Sequence, residues 1–496
     1  MKHARILQAL IRAAVAATML CFPIAWAQQA PRAPRSTNSG APVQPLPPLA
    51  EGTDSNATSG AVGESHVHAD AQPEASAQAQ PDTHLLSGAE TIGVGSLRRL
   101  RRMFDPALQV SEFGETGIVP GQTLSVSSLG GSLDMERHSS RYDLTVNYHG
   151  AETTYQPSSY YGIRYLPYHD AAISQEISFR RWTLQLRDDV LYSWGPGFGS
   201  LFAGGPAQAG QNGSLESIQP SLASTGTIQT ALARQLSNTA LGEIDYARGR
   251  RTTLTLVGSY GLLHFLDAGY INSQTVTGRV GYNYALSAKN NVALTYDHNR
   301  ITFVGTSSRL ETDLVQMAFG RKVTGRLALE LSAGPQLVHF AYVGSAKRQQ
   351  LSWSASSSLT YKWPRTGYSL SYFRGVSAGS GVFFGSSSEV VTAAASREFT
   401  TYWSASLHGG YARNSAVVPT ALFSGRFDDW FAGASLDRQI GRQLHLDLSY
   451  GFQQQTSGYG QCPVLSCGLA RPFAQYGVTL EWHPLWARSA SERTAR

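Results

Sequence analysis

Leu444-His445-Leu446-Asp447-Leu448-Ser449-Tyr450 alternates without a break: Leu444, Leu446, Leu448 and Tyr450 are apolar, and the three residues between them are polar. A two-residue period sends successive side chains to opposite faces of a sheet, so this stretch reads as a strand with one apolar and one polar face. The pattern returns along the chain. Tyr142, Leu144, Val146 and Tyr148 alternate with Asp143, Thr145 and Asn147; Val280, Tyr282, Tyr284 and Leu286 alternate with Gly281, Asn283 and Ala285; Leu327, Leu329 and Leu331 alternate with Ala328, Glu330 and Ser332. The chain is read as all-β.

Composition supports this. Charged residues make up 15% and glycine 49 of 496 residues, against about 25% charged in an ordinary globular protein. No long apolar run follows the first thirty residues, which excludes a helical membrane protein with its spans of about 20 apolar residues. Gly and β-branched residues stand where a coiled coil needs Ala, Glu, Lys and Leu. The net charge is +6, and removing the leader cations Lys2, Arg5 and Arg12 leaves 37 basic against 34 acidic residues. So even a balance speaks against a nucleic-acid partner.

The strands come in hairpins with short turns at one end, near 180–181, 248–251, 287–291, 322–326, 362–367, 398–402 and 438–442. Longer Gly/Ser-rich connections lie at the other end: 195–238, 264–273, 341–350, 376–388, 412–428 and 453–472. This one-sidedness is the layout of a transmembrane up-and-down antiparallel β-barrel of the outer-membrane kind. Trp182, Trp363, Trp403 and Trp482 fall near the short turns, and Tyr192, Trp194 and Trp430 toward the loops, as interfacial aromatics do. A β-sandwich would also alternate, but seven hairpins with one-sided loops are unusual there, and no blade motif supports a propeller. Seven hairpins, the closing strand 474–482 and Tyr142–Tyr148 give sixteen strands. Residues 123–133 also look extended, but alone they give an odd count, whereas bacterial single-chain barrels have even counts. Eighteen would need a further early strand that the alternation does not reveal.

Gln475-Tyr476-Gly477-Val478-Thr479-Leu480-Glu481-Trp482 resembles the closing-strand signal that the barrel-assembly machinery of Gram-negative outer membranes reads, with Gln475, Gly477, Leu480 and Trp482 carrying the match. It departs from that pattern in the fourteen residues that follow the aromatic, His483 to Arg496. The body as a whole is similar to uncharacterised porin-like outer-membrane barrels. The resemblance implies a cell outer membrane location, with the lipid bilayer and the assembly machinery as partners.

Four regions follow. Residues 1–27 read as a signal peptide: a basic start, the apolar stretch Ala13–Ile24 and the cleavage site Ala25-Trp26-Ala27. Cys21 follows Leu20 rather than a small residue, so a lipid anchor is not expected. Residues 28–103 contain no Phe, Tyr or Trp and read as a disordered periplasmic linker; its His66 and His68 are two imidazoles without a third metal ligand, and its basic end 97–102 reads as a solvated charge cluster. Residues 104–486 form the barrel and 487–496 a tail.

A barrel of this width is too wide for side chains alone to fill. The inward phase of the alternation includes Asp143, Glu176, Arg187, Asp189, Arg279, Asp297, Glu330, His445, Asp447 and Glu481. This mixed-charge lining either orders small polar solutes in an aqueous lumen or merely satisfies a wet or plugged interior. Asp188 falls in the outward phase, where a charge is costly. The connection 195–238 is the longest and carries many apolar residues, so it is expected to fold inward as the constriction, with an external lid on neighbouring loops or a subunit contact in an oligomer as the alternatives. Cys462 and Cys467 are the candidate disulfide in an exported chain. Catalysis is not expected: the histidines are scattered, neither GxSxG nor HExxH occurs, and Gly195-Pro196-Gly197-Phe198-Gly199 reads as a turn. No cofactor or metal is implied. The reading is a porin-like channel; a structural or secretion-associated barrel, such as a polysaccharide export conduit, is the alternative, and a barrel-embedded hydrolase comes third.

Overall fold

The computed structural model describes residues 89–90, 104–117, 123–156, 166–195, 217–218, 228, 233–341, 348–417, 425–441, 443–457 and 472–484. No helix occurs among them. Eighteen antiparallel strands close into one barrel. In chain order they are β1 (Phe104–Thr116), β2 (Thr123–His138), β3 (Tyr142–Gln156), β4 (Leu166–Ser178), β5 (Trp182–Gly195), β6 (Ala233–Ala247), β7 (Thr252–Phe265), β8 (Ser273–Ser287) and β9 (Asn290–Phe303). They continue as β10 (Arg309–Lys322), β11 (Leu327–Ala341), β12 (Arg348–Trp363), β13 (Thr366–Ser377), β14 (Ser386–Glu398), β15 (Trp403–Ala416), β16 (Arg426–Ile440), β17 (Leu444–Ser457) and β18 (Pro472–Trp482). Each pairs with its sequence neighbours, and β18 closes the sheet on β1 with Leu108 opposite Trp482. Ala89–Glu90 and Ser217–Ile218 pair as a separate two-stranded sheet.

The count is eighteen rather than sixteen. β2 runs on to His138 and pairs with β3, and the strand that the alternation did not reveal is β1. Its outward positions include Pro106, Glu112 and Gly114, which break up the apolar set Phe104, Leu108 and Val110. With both added, the chain enters and leaves the barrel at the same end. The turns at that end span two to four residues, and the connections at the other end are all longer.

Burial separates the two faces. Leu108, Leu129, Leu256, Val280, Leu294, Leu351, Leu407, Leu448 and Leu480 are exposed, and cross-strand pairs carry them around the whole outside. Ser111, Asn147, Thr255, Thr277, Thr295, Ser354, Asn414, Gln453 and Thr479 occupy the other face and are buried. This inverts a soluble fold, and the inversion holds only if an apolar phase surrounds the barrel. Aromatics mark the belt's edges. Trp182, Trp363 and Trp482 are exposed near the short turns, and Trp430 is exposed toward the loops. Arg326 lies over the Trp363 ring at 4.3 Å and Arg438 over Trp403 at 4.9 Å, so guanidinium groups cap the aromatic edge.

Candidate functional site

The interior is built by the inner positions of all eighteen strands. Each of the ten residues singled out above lies on the inner face by strand register. Asp143 of β3 stands opposite Glu176 of β4, and Asp447 of β17 opposite Asp437 of β16. His445 stands opposite Glu481. Arg279 and Asp297 face each other across β8 and β9, with Nε 2.7 Å from Oδ1 and Nη2 3.0 Å from Oδ2. Arg187 donates to both carboxylate oxygens of Asp189, two residues along β5, at 3.1 Å. Glu330 lies on β11 opposite Ser358 of β12. The ten are therefore distributed around the wall in small groups and do not converge on one point. No group of three metal-ligating side chains occurs among the described residues.

Cover of the wall is uneven. On β7, β8 and β9 the inner residues are buried along the whole strand, from Thr255 to Phe265, Ser273 to Asn283 and Asn291 to Phe303. On β3, β4, β12 and β15 most inner residues are half-buried or exposed.

The loop end carries a different chemistry. Residues 378–385, joining β13 to β14, are buried throughout except Phe384, which is half-buried. The Phe384 ring meets Phe303 of β9 edge-on at 5.3 Å, and Phe383 meets Phe427 of β16 at 5.4 Å. Ile271 donates its N–H to the Gly381 carbonyl at 2.8 Å, and Ile228 donates to Ser380 Oγ at 3.2 Å. Gly381 sits so close to Phe265 of β7 that a Cβ would lie 2.1 Å from Cε2. A segment rooted between β13 and β14 that reaches β9 and β7 lies across the mouth.

The sequence had pointed to 195–238 as the inward segment. Most of that connection lies outside the described residues, and 233–238 belongs to β6; Ile228 is buried, packed with Val382, Phe383 and Phe427. Residues 378–385 were not singled out from the sequence, although Val382-Phe383-Phe384 is an apolar run that a solvated loop would not carry.

Other expectations resolve as follows. Asp188 does face outward, opposite Ile173 and Ala240, and Asn238 of β6 donates Nδ2 to its Oδ1 at 2.6 Å. Gln475 sits inside and donates to Glu115 at 2.9 Å, Gly477 lies under the Phe113 ring, and Leu480 and Trp482 face outward, so all four line the seam between β18 and β1. Just past that seam, His483 is buried with Nδ1 3.0 Å from Asp105 Oδ1 and Nε2 3.4 Å from Glu481 Oε1. Burial opposes its charge, but the two carboxylates outweigh burial and push its pKa up to about 9. Cys462, Cys467 and Cys21 lie outside the described residues.

No family model matches the chain, and no curated protein is similar to it. Solved structures do align with it. Pseudomonas aeruginosa OpdK with vanillate aligns over 77% of this chain and 98% of its own, at 9% identity and a TM-score of 0.39. Pseudomonas aeruginosa OccK9 (OpdG) aligns over 77% and 97%, at 12% identity and 0.40. OccK2 (OpdF) from the same organism gives 77% and 97%, at 10% and 0.39. These likenesses are loose in sequence and in shape and carry nothing about solutes.

Proposed function

We propose that this chain is an outer-membrane channel for small polar solutes, with the interior of the barrel as its path. The observation that supports this best is the division of faces: an apolar exterior around eighteen strands and a polar interior. An eighteen-stranded barrel is wider than its side chains can fill. The path follows the less covered wall, which includes β3, β4, β12 and β15, past Asp143 and Glu176. The Arg279–Asp297 pair and its buried neighbours form the covered wall opposite. Residues 378–385 narrow the mouth. The signal peptide directs export, residues 28–103 remain in the periplasm, and the assembly machinery recognises the seam residues Gln475, Gly477, Leu480 and Trp482.

A hydrolase would need a nucleophile, a base and an orienting group brought together, and the ten inner residues named above are instead spread around the wall. An export conduit shares every feature named so far; it differs in needing an unobstructed mouth, which the docked 378–385 segment argues against. Single-channel recording of the purified protein in planar bilayers tests the proposal. Discrete conductance steps are expected, and a folded, inserted barrel that stays silent overturns it.

A further inference from the structure

The outer wall carries arginines in two settings. In the loop half, every outward arginine on a described strand is held by a carboxylate. Asp267 holds Arg234, Glu311 holds Arg300 and Arg309, Glu389 holds Arg374, and Asp428 holds Arg413 and Arg426. These charges are matched within the wall itself.

The short-turn end is arranged differently. Arg137 of β2 pairs in register with Leu144, Arg321 of β10 with Leu329, Arg397 of β14 with Ala405, and Arg438 of β16 with Trp403. Those partners lie on the outer face, so the four arginines do too. Arg326, in the turn between β10 and β11, joins them, because its guanidinium lies over the outward Trp363 ring. All five are exposed, and none forms an ion pair among the described residues. No described outer position within four residues of a short turn is Asp or Glu. Alternation produces this separation: Glu136 and Asp437, next in sequence to Arg137 and Arg438, point to the lumen.

A second observation fixes their depth. Arg326 stands 4.3 Å from the centre of the Trp363 ring, Arg438 4.9 Å from Trp403, and Arg397 5.7 Å from Phe399. Tryptophan at the edge of an apolar belt marks the headgroup level of a bilayer. An arginine stem lies along such a ring and leaves its charged fork at the polar boundary. That fork matches the oxygens of a phosphate two at a time, which an ammonium group does not.

We infer that this outer rim is a docking surface for anionic glycerophospholipid, whose phosphate the guanidinium groups of Arg137, Arg321, Arg326, Arg397 and Arg438 hold. Short turns face the periplasm in barrels of this kind, so the lipid is that of the periplasmic leaflet. Basic side chains at this depth attract anionic lipid, and salt screens the attraction. The occupant is a lipid and not an acidic polymer of the periplasm, because the five stand on the apolar outer wall beside the belt aromatics.

The test is native mass spectrometry of the full-length protein, released from mixed micelles holding equal amounts of phosphatidylglycerol and phosphatidylcholine with the same acyl chains. The expected result is several-fold more phosphatidylglycerol than phosphatidylcholine retained, with the preference shrinking as salt is raised before release. Replacing the five arginines together by glutamine should bring the two lipids level while the barrel stays heat-modifiable. If that variant does not fold, Arg326→Gln with Arg438→Gln takes its place, and a partial loss of the preference is expected. Arg300→Gln with Glu311→Gln, at the loop end, should keep the parent's preference. Equal retention of both lipids by the parent, a preference unmoved by the rim substitutions, or the same loss in the loop-end control overturns the proposal. Absence of a lipid preference, with sedimentation on purified cell-wall sacculi that depends on the five arginines, would overturn it in favour of an acidic polymer.

Discussion

Gly381→Val should open the mouth. Gly381 has φ of +75°, and a Cβ there would lie 2.1 Å from Cε2 and 2.6 Å from Cζ of Phe265. Two costs therefore add. Holding a side-chain-bearing residue in the left-handed region costs about 1–2 kcal/mol, and more for a β-branched one. Forcing the Phe265 ring aside disturbs a packed cluster with Ala233, Leu263 and Tyr270, and overpacking of that kind costs about 1–3 kcal/mol. Together they weaken docking of the segment by about 2–5 kcal/mol, roughly thirtyfold to a few thousandfold in the docked-to-open ratio at about 1.4 kcal/mol per decade. The wall hydrogen bonds are untouched, so the barrel should remain heat-modifiable on gels. Single-channel recording should find a larger open conductance or a longer open time. Gly441→Ala is the control: φ is +66° in a short turn with nothing within 4 Å of the added Cβ, so it brings backbone strain without touching the mouth. If Gly381→Val inserts normally and conducts as the parent does, residues 378–385 do not control the path.

Five further outcomes are expected. The His483 clasp contributes stability in full below its unfolded pKa of 6.5 and loses it as pH rises through about 9; the urea midpoint should fall over that window, and Asp105→Asn should flatten the fall. Deleting 487–496 should leave the midpoint unchanged, whereas deleting from His483 onward should lower it. Gly477→Asp should block insertion more severely than Trp482→Ala, because its Cβ would lie 2.0 Å from Cδ1 of Phe113 at the seam; equal insertion of both variants in outer-membrane fractions would remove the seam as the recognised element. Asn238→Leu leaves the outward Asp188 carboxylate without its amide donor and should cost about 1–3 kcal/mol of unfolding free energy, recovered when Asp188 is also made Leu. Thiol titration of the denatured, unreduced mature chain should find Cys462 and Cys467 both blocked.

Much of this architecture is legible from alternation alone. β3, β8, β11 and β17 each present a run of large apolar residues on one face, because the bilayer rewards that face along its whole height. β1 escaped because Pro106 and Glu112 interrupt its outer face; Glu112 is accommodated there by the hydroxyls of Ser125 and Ser127. Loop placement was less legible for a physical reason. Length and apolar content drew attention to 195–238, whereas crossing the mouth also depends on the positive φ of Gly379, Gly381 and Gly385, which composition alone reads as an ordinary flexible turn. Lumen charge was the least legible. Summing the chain mixes arginine-rich turns with an acidic wall, and only the register, which puts Asp437 on the inner face and its neighbour Arg438 on the outer, tells them apart.

The central claim is that the inner face lines a conducting aqueous path and the outer face meets lipid. Ser449 and Leu448 are neighbours on β17, inner and outer respectively, opposite Ser435 and Leu436 of β16. In a background with Cys462 and Cys467 replaced by serine, each is made cysteine in turn and a charged, water-soluble thiol reagent is added during single-channel recording. Stepwise loss of current from Ser449→Cys with no change from Leu448→Cys is the predicted result. Current unaffected in Ser449→Cys, or equally reduced in both, would contradict it.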